Sequence, residues 1–322
     1  MRIIVYGVGA IGGVLAGAMA LGGREVVGIA RGRMLEAVRA NGLTLNSHRG
    51  TEHVRFDCVG APDEIDFRPD DAILLTMKGQ DTTAALEALR AAGVREHPIF
   101  CCQNGVANER TALRYFPNVH GVTVMMPATY LEPGEVTAFS QPRFGVYDIG
   151  RFPEGSDADD RALAEALAAG NVAGFVQDDV MASKYGKLLM NLGNILEAAL
   201  GTGVSSGDLY QRLRAEAEAV LQAAGIPFRD VGSSDPRRQE NMQSTKLDGA
   251  RYVGGSTTQS LTRGAGSVET DYLNGEICLL GRLHGVPTPL NSRATILSAE
   301  LLAAGEGAGA LDLDALEARL TG

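Results

Sequence analysis

MRIIVYGVGAIGGVL, residues 1–15, decides the fold of the first half of the chain. Ile3, Ile4, Val5 and Tyr6 form an apolar, largely β-branched run that reads as a buried strand. Gly7, Val8, Gly9, Ala10, Ile11 and Gly12 follow without a spacer, and Ala10 to Leu21 is small, apolar and helical in pattern. Strand, tight turn and helix start therefore lie in succession, the context that gives a GxGxxG spacing its meaning. Gly7 permits the sharp turn, Gly9 lets a pyrophosphate approach the backbone, and Gly12 lets the helix pack closely on the strand. An anion seated there meets free N–H groups at a helix N-terminus, where the dipole also favours negative charge. The stretch predicts a dinucleotide-binding α/β domain.

Which dinucleotide it takes depends on the end of the second strand, read over Arg24 to Ala30. An NAD-type site places Asp or Glu there to accept from the ribose hydroxyls. This chain has Arg31, then Gly32 and Arg33. A guanidinium holds a 2′-phosphate bidentately where an acid would repel it, so the expected cofactor is NADP(H). Arg33 reads as a solvated start of the next helix. A further buried strand, Ala72 to Met77, ends on Lys78, and the strand Pro98 to Cys102 runs into Gln103, Asn104 and Gly105. The C-terminal strand edges of an open α/β sheet line the ligand crevice, which places Lys78 near phosphate or substrate and Asn104 near ribose or carboxamide. An ordinary strand-end lysine and a plain Asn-Gly turn account for the same letters.

At 322 residues the chain has about two domains' worth of sequence. Short alternating strands are expected between His120 and Tyr147, a helix over Ala158 to Ala169, and a last strand at Gly174 to Gln177. From Val180 onward the pattern is helical almost throughout. The predicted boundary separates a Rossmann nucleotide-binding domain, 1–178, from an all-helical substrate domain, 179–322. A net charge of −10 with no basic run argues against nucleic acid or an anionic membrane surface. No apolar run approaches the roughly 20 residues of a membrane span, and no signal peptide precedes the first strand, so a cytoplasmic protein is expected. Cys58, Cys101, Cys102 and Cys278 lack zinc spacing and read as buried thiols, and five scattered histidines give no metal motif.

In the helical half, Lys187, Asn191 and Asn194 project onto one narrow stripe if a single helix runs through them, with Leu188, Leu189, Ile195 and Leu196 on the rest. Asparagine is a poor exposed helix former, which favours a polar site over a solvated face. Farther on, a helix is expected to start after Gly266 with Glu269 and Asp271 in its first turn, where the dipole alone explains acids. A final helix is expected from near Asn291.

With these residues assembled, the chain resembles the ketopantoate reductase family over essentially its whole length. The resemblance rests on GVGAIGG at 7–13, AR at 30–31, TMK at 76–78, QNG at 103–105, KLLMN at 187–191, ETDYLNGE at 269–276 and HGVPTP at 284–289. It implies a Rossmann NADPH domain, a helical domain like the C-terminal domain of 6-phosphogluconate dehydrogenase, and hydride transfer to a 2-keto acid in the cleft between them. Lys187 then matches the general acid, Glu269 its partner, and Asn104, Asn191 and Ser256 substrate or ribose contacts. Arg31 and Lys78 match residues near the 2′-phosphate. The implied product is a D-2-hydroxy acid, pantoate from 2-dehydropantoate. Two departures, Ile195 with Asn194 one position early and Ser260 after Gln259, favour another branched or aromatic 2-keto acid and let Asn194 serve a different part of the ligand. A non-catalytic NADP(H)-binding regulator is the third reading, and a homodimer is left open.

Overall fold

A computed structural model describes residues 1–264 and 266–322. In chain order the first half runs β1 (Arg2–Tyr6), α1 (Ala10–Leu21), β2 (Val26–Ile29), α2 (Gly32–Asn41), β3 (Leu43–Ser47), β4 (Gly50–Val54), β5 (Asp57–Val59), β6 (Asp71–Leu75), α3 (Thr82–Ala91) and β7 (Ile99–Cys101). It continues through α4 (Asn108–Ala112), β8 (Val119–Met125), β9 (Ala128–Thr129), β10 (Glu135–Ala138), β11 (Ser140–Pro142), β12 (Val146–Arg151), α5 (Ala158–Ala169) and β13 (Ala173–Val176).

An eight-stranded sheet has the order β13-β12-β8-β7-β6-β1-β2-β5. Its strands from β5 to β8 are parallel, and β12 joins β8 antiparallel. Ile3 and Val5 enter one core with α1 and α5, while Ile4 enters another with Leu86 and Leu89 of α3. Burial on both faces is why β1 reads as a continuous apolar run rather than an alternating one. The chain proceeds from β1 to β2 on one side and later returns through β6 on the other, so the topological switch point lies at β1. In open α/β sheets ligands bind there, outside the carboxyl ends of the strands. A four-stranded sheet, β4-β3-β10-β9, packs on α1.

The second half runs α6 (Val180–Asn191), α7 (Asn194–Leu200), α8 (Leu209–Ala223), α9 (Pro236–Asn241), β14 (Met242–Ser244), α10 (Ser256–Thr262), α11 (Asn274–His284), α12 (Pro289–Ala304) and α13 (Leu313–Thr321). One compact unit comprises residues 1–104, 108–184 and 231–252, and the other comprises 105–107, 185–230 and 253–322. No helix among the described residues is long and apolar enough to cross a membrane.

Three local expectations give way. The helical reading after Val180 is interrupted by β14, which pairs antiparallel with β11 and is too short to carry a period of its own. The helix expected after Gly266 begins at Asn274, with only a 3₁₀ turn at Thr270–Tyr272 behind Glu269, while the helix expected from near Asn291 starts at Pro289, a residue preorganised for a first helical turn, and is followed by α13 rather than being the last. The single stripe through Lys187, Asn191 and Asn194 also fails, because α6 ends at Asn191 and α7 starts at Asn194. Gly193 fills the break, where an added Cβ would lie 3.1 Å from the Tyr210 ring.

Candidate active site

The turn from β1 into α1 has the shape its glycines predict. Gly7 has φ +110°, and a Cβ there would lie 2.7 Å from the Met77 amide nitrogen. A Cβ on Gly12 would lie 2.2 Å from the Gly7 oxygen and 2.5 Å from Thr76 Oγ1, so helix and strand are in backbone contact. The Thr76 hydroxyl donates to the Tyr6 and Gly7 oxygens at 3.0 and 2.8 Å, fixing the turn to the end of β6. Gly9 is the opposite case, since a Cβ there meets nothing within 4 Å. It caps α1 without a side-chain hydrogen bond, and Gly13 N–H is bonded back to the Gly9 oxygen at 2.8 Å. The earlier amides of Ala10, Ile11 and Gly12 therefore lack acceptors within the helix, beside open space. Val8 is buried, and Ala10 and Ile11 are half-buried.

Arg31 follows β2, is 76% exposed, and places Nη2 3.6 Å from Asp81 Oδ2. Tyr6 ends β1, and burial raises its hydroxyl pKa, with Arg31 pulling it down and Asp81 pushing it up. Arginine, acid and phenol thus gather electrostatically beside the glycine turn. Lys78 is half-buried just beyond β6, preceding the turn that carries Asp81. Asn104 is half-buried, and its carbonyl accepts from Asn108 Nδ2 at 3.1 Å. An anion-accepting helix end, a close-approach glycine and an arginine at the end of β2 fit an adenine dinucleotide 2′-phosphate, with Gly7 to Gly12, Arg31 and Lys78 as the groups to hold it.

In the helical unit, Lys187 is half-buried on α6, one turn before Asn191. Asn191 is 4% exposed, and its Nδ2 has no hydrogen-bond partner. The buried Ser256 Oγ at the start of α10 lacks one as well. By contrast, Asn274 Nδ2 donates to the Leu192 oxygen and to Asn291 Oδ1, while Asn291 Nδ2 donates to the Leu213 oxygen and Glu216. Buried polar atoms are ordinarily paired, so these two donors, with the Thr257 and Thr270 hydroxyls of the same unit that also lack partners, are positions where a ligand can complete the bonding. Asn194 Oδ1 lies 3.3 Å from where a Gly255 Cβ would stand, which puts Asn194 beside the entry to α10. Glu197 of α7 fixes that entry by accepting from Gly255 N–H at 2.8 Å. Glu269 is buried in the loop before α11, on neither α6 nor α10. The structure brings Asn194 to the Ser256 segment. Ile195 is 1% exposed and belongs to the core.

Sequence reasoning missed several residues. Gln103, beside the chosen Asn104, donates to the Met77 oxygen and Thr82 Oγ1 and leaves a buried Oε1 without a partner. Lys184 pairs with Glu109 and donates to the Cys101, Gln103 and Val122 oxygens at 3.2, 3.1 and 3.3 Å. Burial raises the Glu109 pKa and pushes the Cys102 thiol to about 12, both against the pull of Lys184. An apolar helix with a lysine that is buried gives no signal in sequence. Asp81 carries no signal in sequence either, because the arginine it faces comes from the end of another strand.

A Rossmann sheet with a nucleotide-shaped turn, joined in one chain to a helical unit holding a lysine and unsatisfied donors, defines a dinucleotide-dependent oxidoreductase. Residues 3–154 match the family Ketopantoate reductase PanE/ApbA, and residues 179–301 match Ketopantoate reductase PanE/ApbA C terminal. Among curated relatives, the 2-dehydropantoate 2-reductase of Pyrococcus horikoshii is 27% identical over 296 residues, covering 90% of this chain and 94% of the relative. That of Mesorhizobium japonicum is 28% identical over 324 residues, with the same coverage of each chain. A PanE/ApbA family ketopantoate reductase from Ralstonia eutropha superposes with TM-score 0.77 at 27% identity over 95% of this chain and 100% of the other. D-mandelate dehydrogenase bound to NADH and anilino(oxo)acetate also gives TM-score 0.77, at 20% identity over 95% and 99% of the two chains, a likeness of fold.

The chain belongs to the ketopantoate reductase PanE/ApbA family. It is an oxidoreductase acting on CH–OH groups, and NADP(H) is the cofactor of its family.

Proposed function

We propose that the protein reduces a 2-keto acid to the D-2-hydroxy acid with NADPH, with 2-dehydropantoate as substrate and pantoate as product. Residues 1–178 serve as the nucleotide-binding domain and 179–322 as the substrate domain. The observation that carries the reading is that Asn191 Nδ2 on the Lys187 helix and Ser256 Oγ at the start of α10 are buried donors without partners. A 2-keto acid supplies what they lack, since its carboxylate and side-chain oxygens accept hydrogen bonds.

Bound NADPH supplies hydride to the carbonyl carbon. The Lys187 ammonium gives its proton to the carbonyl oxygen, so that ketone, hydride and proton sum to the alcohol. Glu269 holds that ammonium in place, and Asn191, Ser256 and Asn194 orient the acid, with Asn104 on the ribose or substrate. Lys187→Ala lowers turnover by about 10²- to 10⁴-fold with NADPH binding retained. Near-normal turnover removes Lys187 from the mechanism.

A second reading keeps the reaction and changes the substrate to another branched or aromatic 2-keto acid. Burial of Ile195 in the core and the place of Asn194 beside Gly255 favour it, because the polar side chain reaches the entry to α10 from a different position. Oxidation of NADPH followed at 340 nm across a panel of 2-keto acids separates the two through kcat/KM. Activity on none of them, with NADPH still bound, leaves the regulator reading.

A further inference from the structure

We propose that Asp81 sets how far the protein prefers NADPH over NADH, its carboxylate opposing the 2′-phosphate that Arg31 attracts. This rests on the nucleotide reading above.

In an NAD-type site the ribose-binding acid stands at the end of the second strand. Here Arg31 occupies that position, and the acid arrives instead from the 3₁₀ turn Gly79–Asp81 that follows β6, with its carboxylate 3.6 Å from the guanidinium. The corner therefore holds both charges. Asp81 does no capping work that would explain it: it precedes α3, yet its side chain accepts no bond from that helix, and its backbone amide bonds to the Lys78 oxygen at 3.0 Å. The side chains of Arg31 and Asp81 are 76% and 44% exposed, so the ion pair itself contributes little, and Arg31 leaves it at small cost.

The larger effect comes after Arg31 has turned to the phosphate. A 2′-phosphate carries close to two negative charges, and a partner of Arg31 stands beside it as a third. Repulsion of that size across roughly 6 Å of well-solvated space corresponds to about tenfold in affinity. NADH has a hydroxyl at the same place and escapes the penalty. Asp81 thus narrows the margin that Arg31 creates.

The test is equilibrium titration of the whole protein without keto acid, following nicotinamide fluorescence, for wild type, Asp81→Asn and Arg31→Ala. Asp81→Asn tightens NADPH about tenfold and leaves NADH within twofold of wild type. In 0.5 M salt most of the gain disappears, as screening requires and as a purely structural effect does not. The melting temperature stays within about 2 °C, since no cap is lost. An unchanged or weakened NADPH affinity in Asp81→Asn, or an equal change for both nucleotides, overturns the proposal. NADPH affinity indifferent to Arg31→Ala overturns it too while leaving the glycine-turn seat intact. Failure of wild type to bind either nucleotide overturns both readings.

Discussion

Two neighbouring glycines offer a direct trial of the nucleotide seat, because the structure gives them opposite reasons to be glycine. In Gly12→Ala the new methyl would start 2.2 Å from the Gly7 oxygen, an atom already accepting from Thr76 Oγ1 and the Gly9 amide at 2.8 Å each. Backbone must move by about 1 Å to reach ordinary contact, and overpacking of this kind costs about 1–3 kcal/mol. At about 2–4 °C per kcal/mol, melting falls by roughly 2–12 °C. Gly9→Ala meets nothing within 4 Å and has φ −106°, so the folded chain accommodates it for under about 1 kcal/mol. Its methyl projects into the space a pyrophosphate would use. Losing one charge-assisted hydrogen bond of about 1.5–3 kcal/mol weakens NADPH by roughly 10- to 150-fold. Differential scanning fluorimetry with NADPH titration reads both quantities on both variants. Wild-type NADPH affinity in Gly9→Ala would refute the seat, however stable the variant.

Lys184→Met and Glu109→Leu each lose about 3–5 kcal/mol, because each strands a buried charge without its partner, and the double variant Lys184→Met with Glu109→Leu loses less than the sum. A urea-denaturation double-mutant cycle measures the coupling. Burial alone would raise the Asp235 pKa, but bonds from the Arg237 side chain and amide hold it below the ordinary 3.8. A depressed folded pKa contributes stability that is present above 3.8 and lost as pH falls through the folded value. The stability gap between wild type and Asp235→Asn is therefore full at neutral pH and closes below about pH 4 in acid titrations of the melting temperature. Asn291→Ala breaks two satisfied donations and costs about 2–3 kcal/mol, whereas Asn191→Ala removes an unpaired donor, costs under 1 kcal/mol on that account, and raises KM; chemical denaturation and steady-state kinetics check the contrast.

The first strand, turn and helix are legible in sequence because every determinant is local. Ile3 to Tyr6 supplies the apolar run, Gly7 and Gly12 answer to contacts with a residue a few positions away or with one strand end, and Gly9 completes the spacing beside open space. The end of α6 is not legible, since the break at Gly193 answers to Tyr210 on another helix. Nor is β14, whose three residues become a strand only because Ser140–Pro142 offers an edge. Arg31 reads as a cation at the end of β2, but its carboxylate neighbour comes from the turn that follows β6, so the charge of that corner is a tertiary fact. Lys184 is not legible for a like reason: it is 2% exposed because a glutamate and three carbonyls distant in sequence replace water.

The polar residues of the helical unit show what structure adds to composition. By letter, Asn191, Asn274 and Asn291 are equivalent, and all are buried. Asn274 and Asn291 spend their amides joining α11 and α12 to the Leu192 and Leu213 carbonyls, so conserving the fold accounts for them completely. No such account exists for the Asn191 Nδ2 or the Ser256 hydroxyl, whose desolvation would cost about 1–3 kcal/mol each with nothing in the protein to offset it. A fold tolerates that cost at positions where a ligand returns it. Unsatisfied donors at the end of the helix that carries Lys187 and at the start of α10, rather than asparagines in helical spacing, are therefore the physical argument for a substrate in this unit.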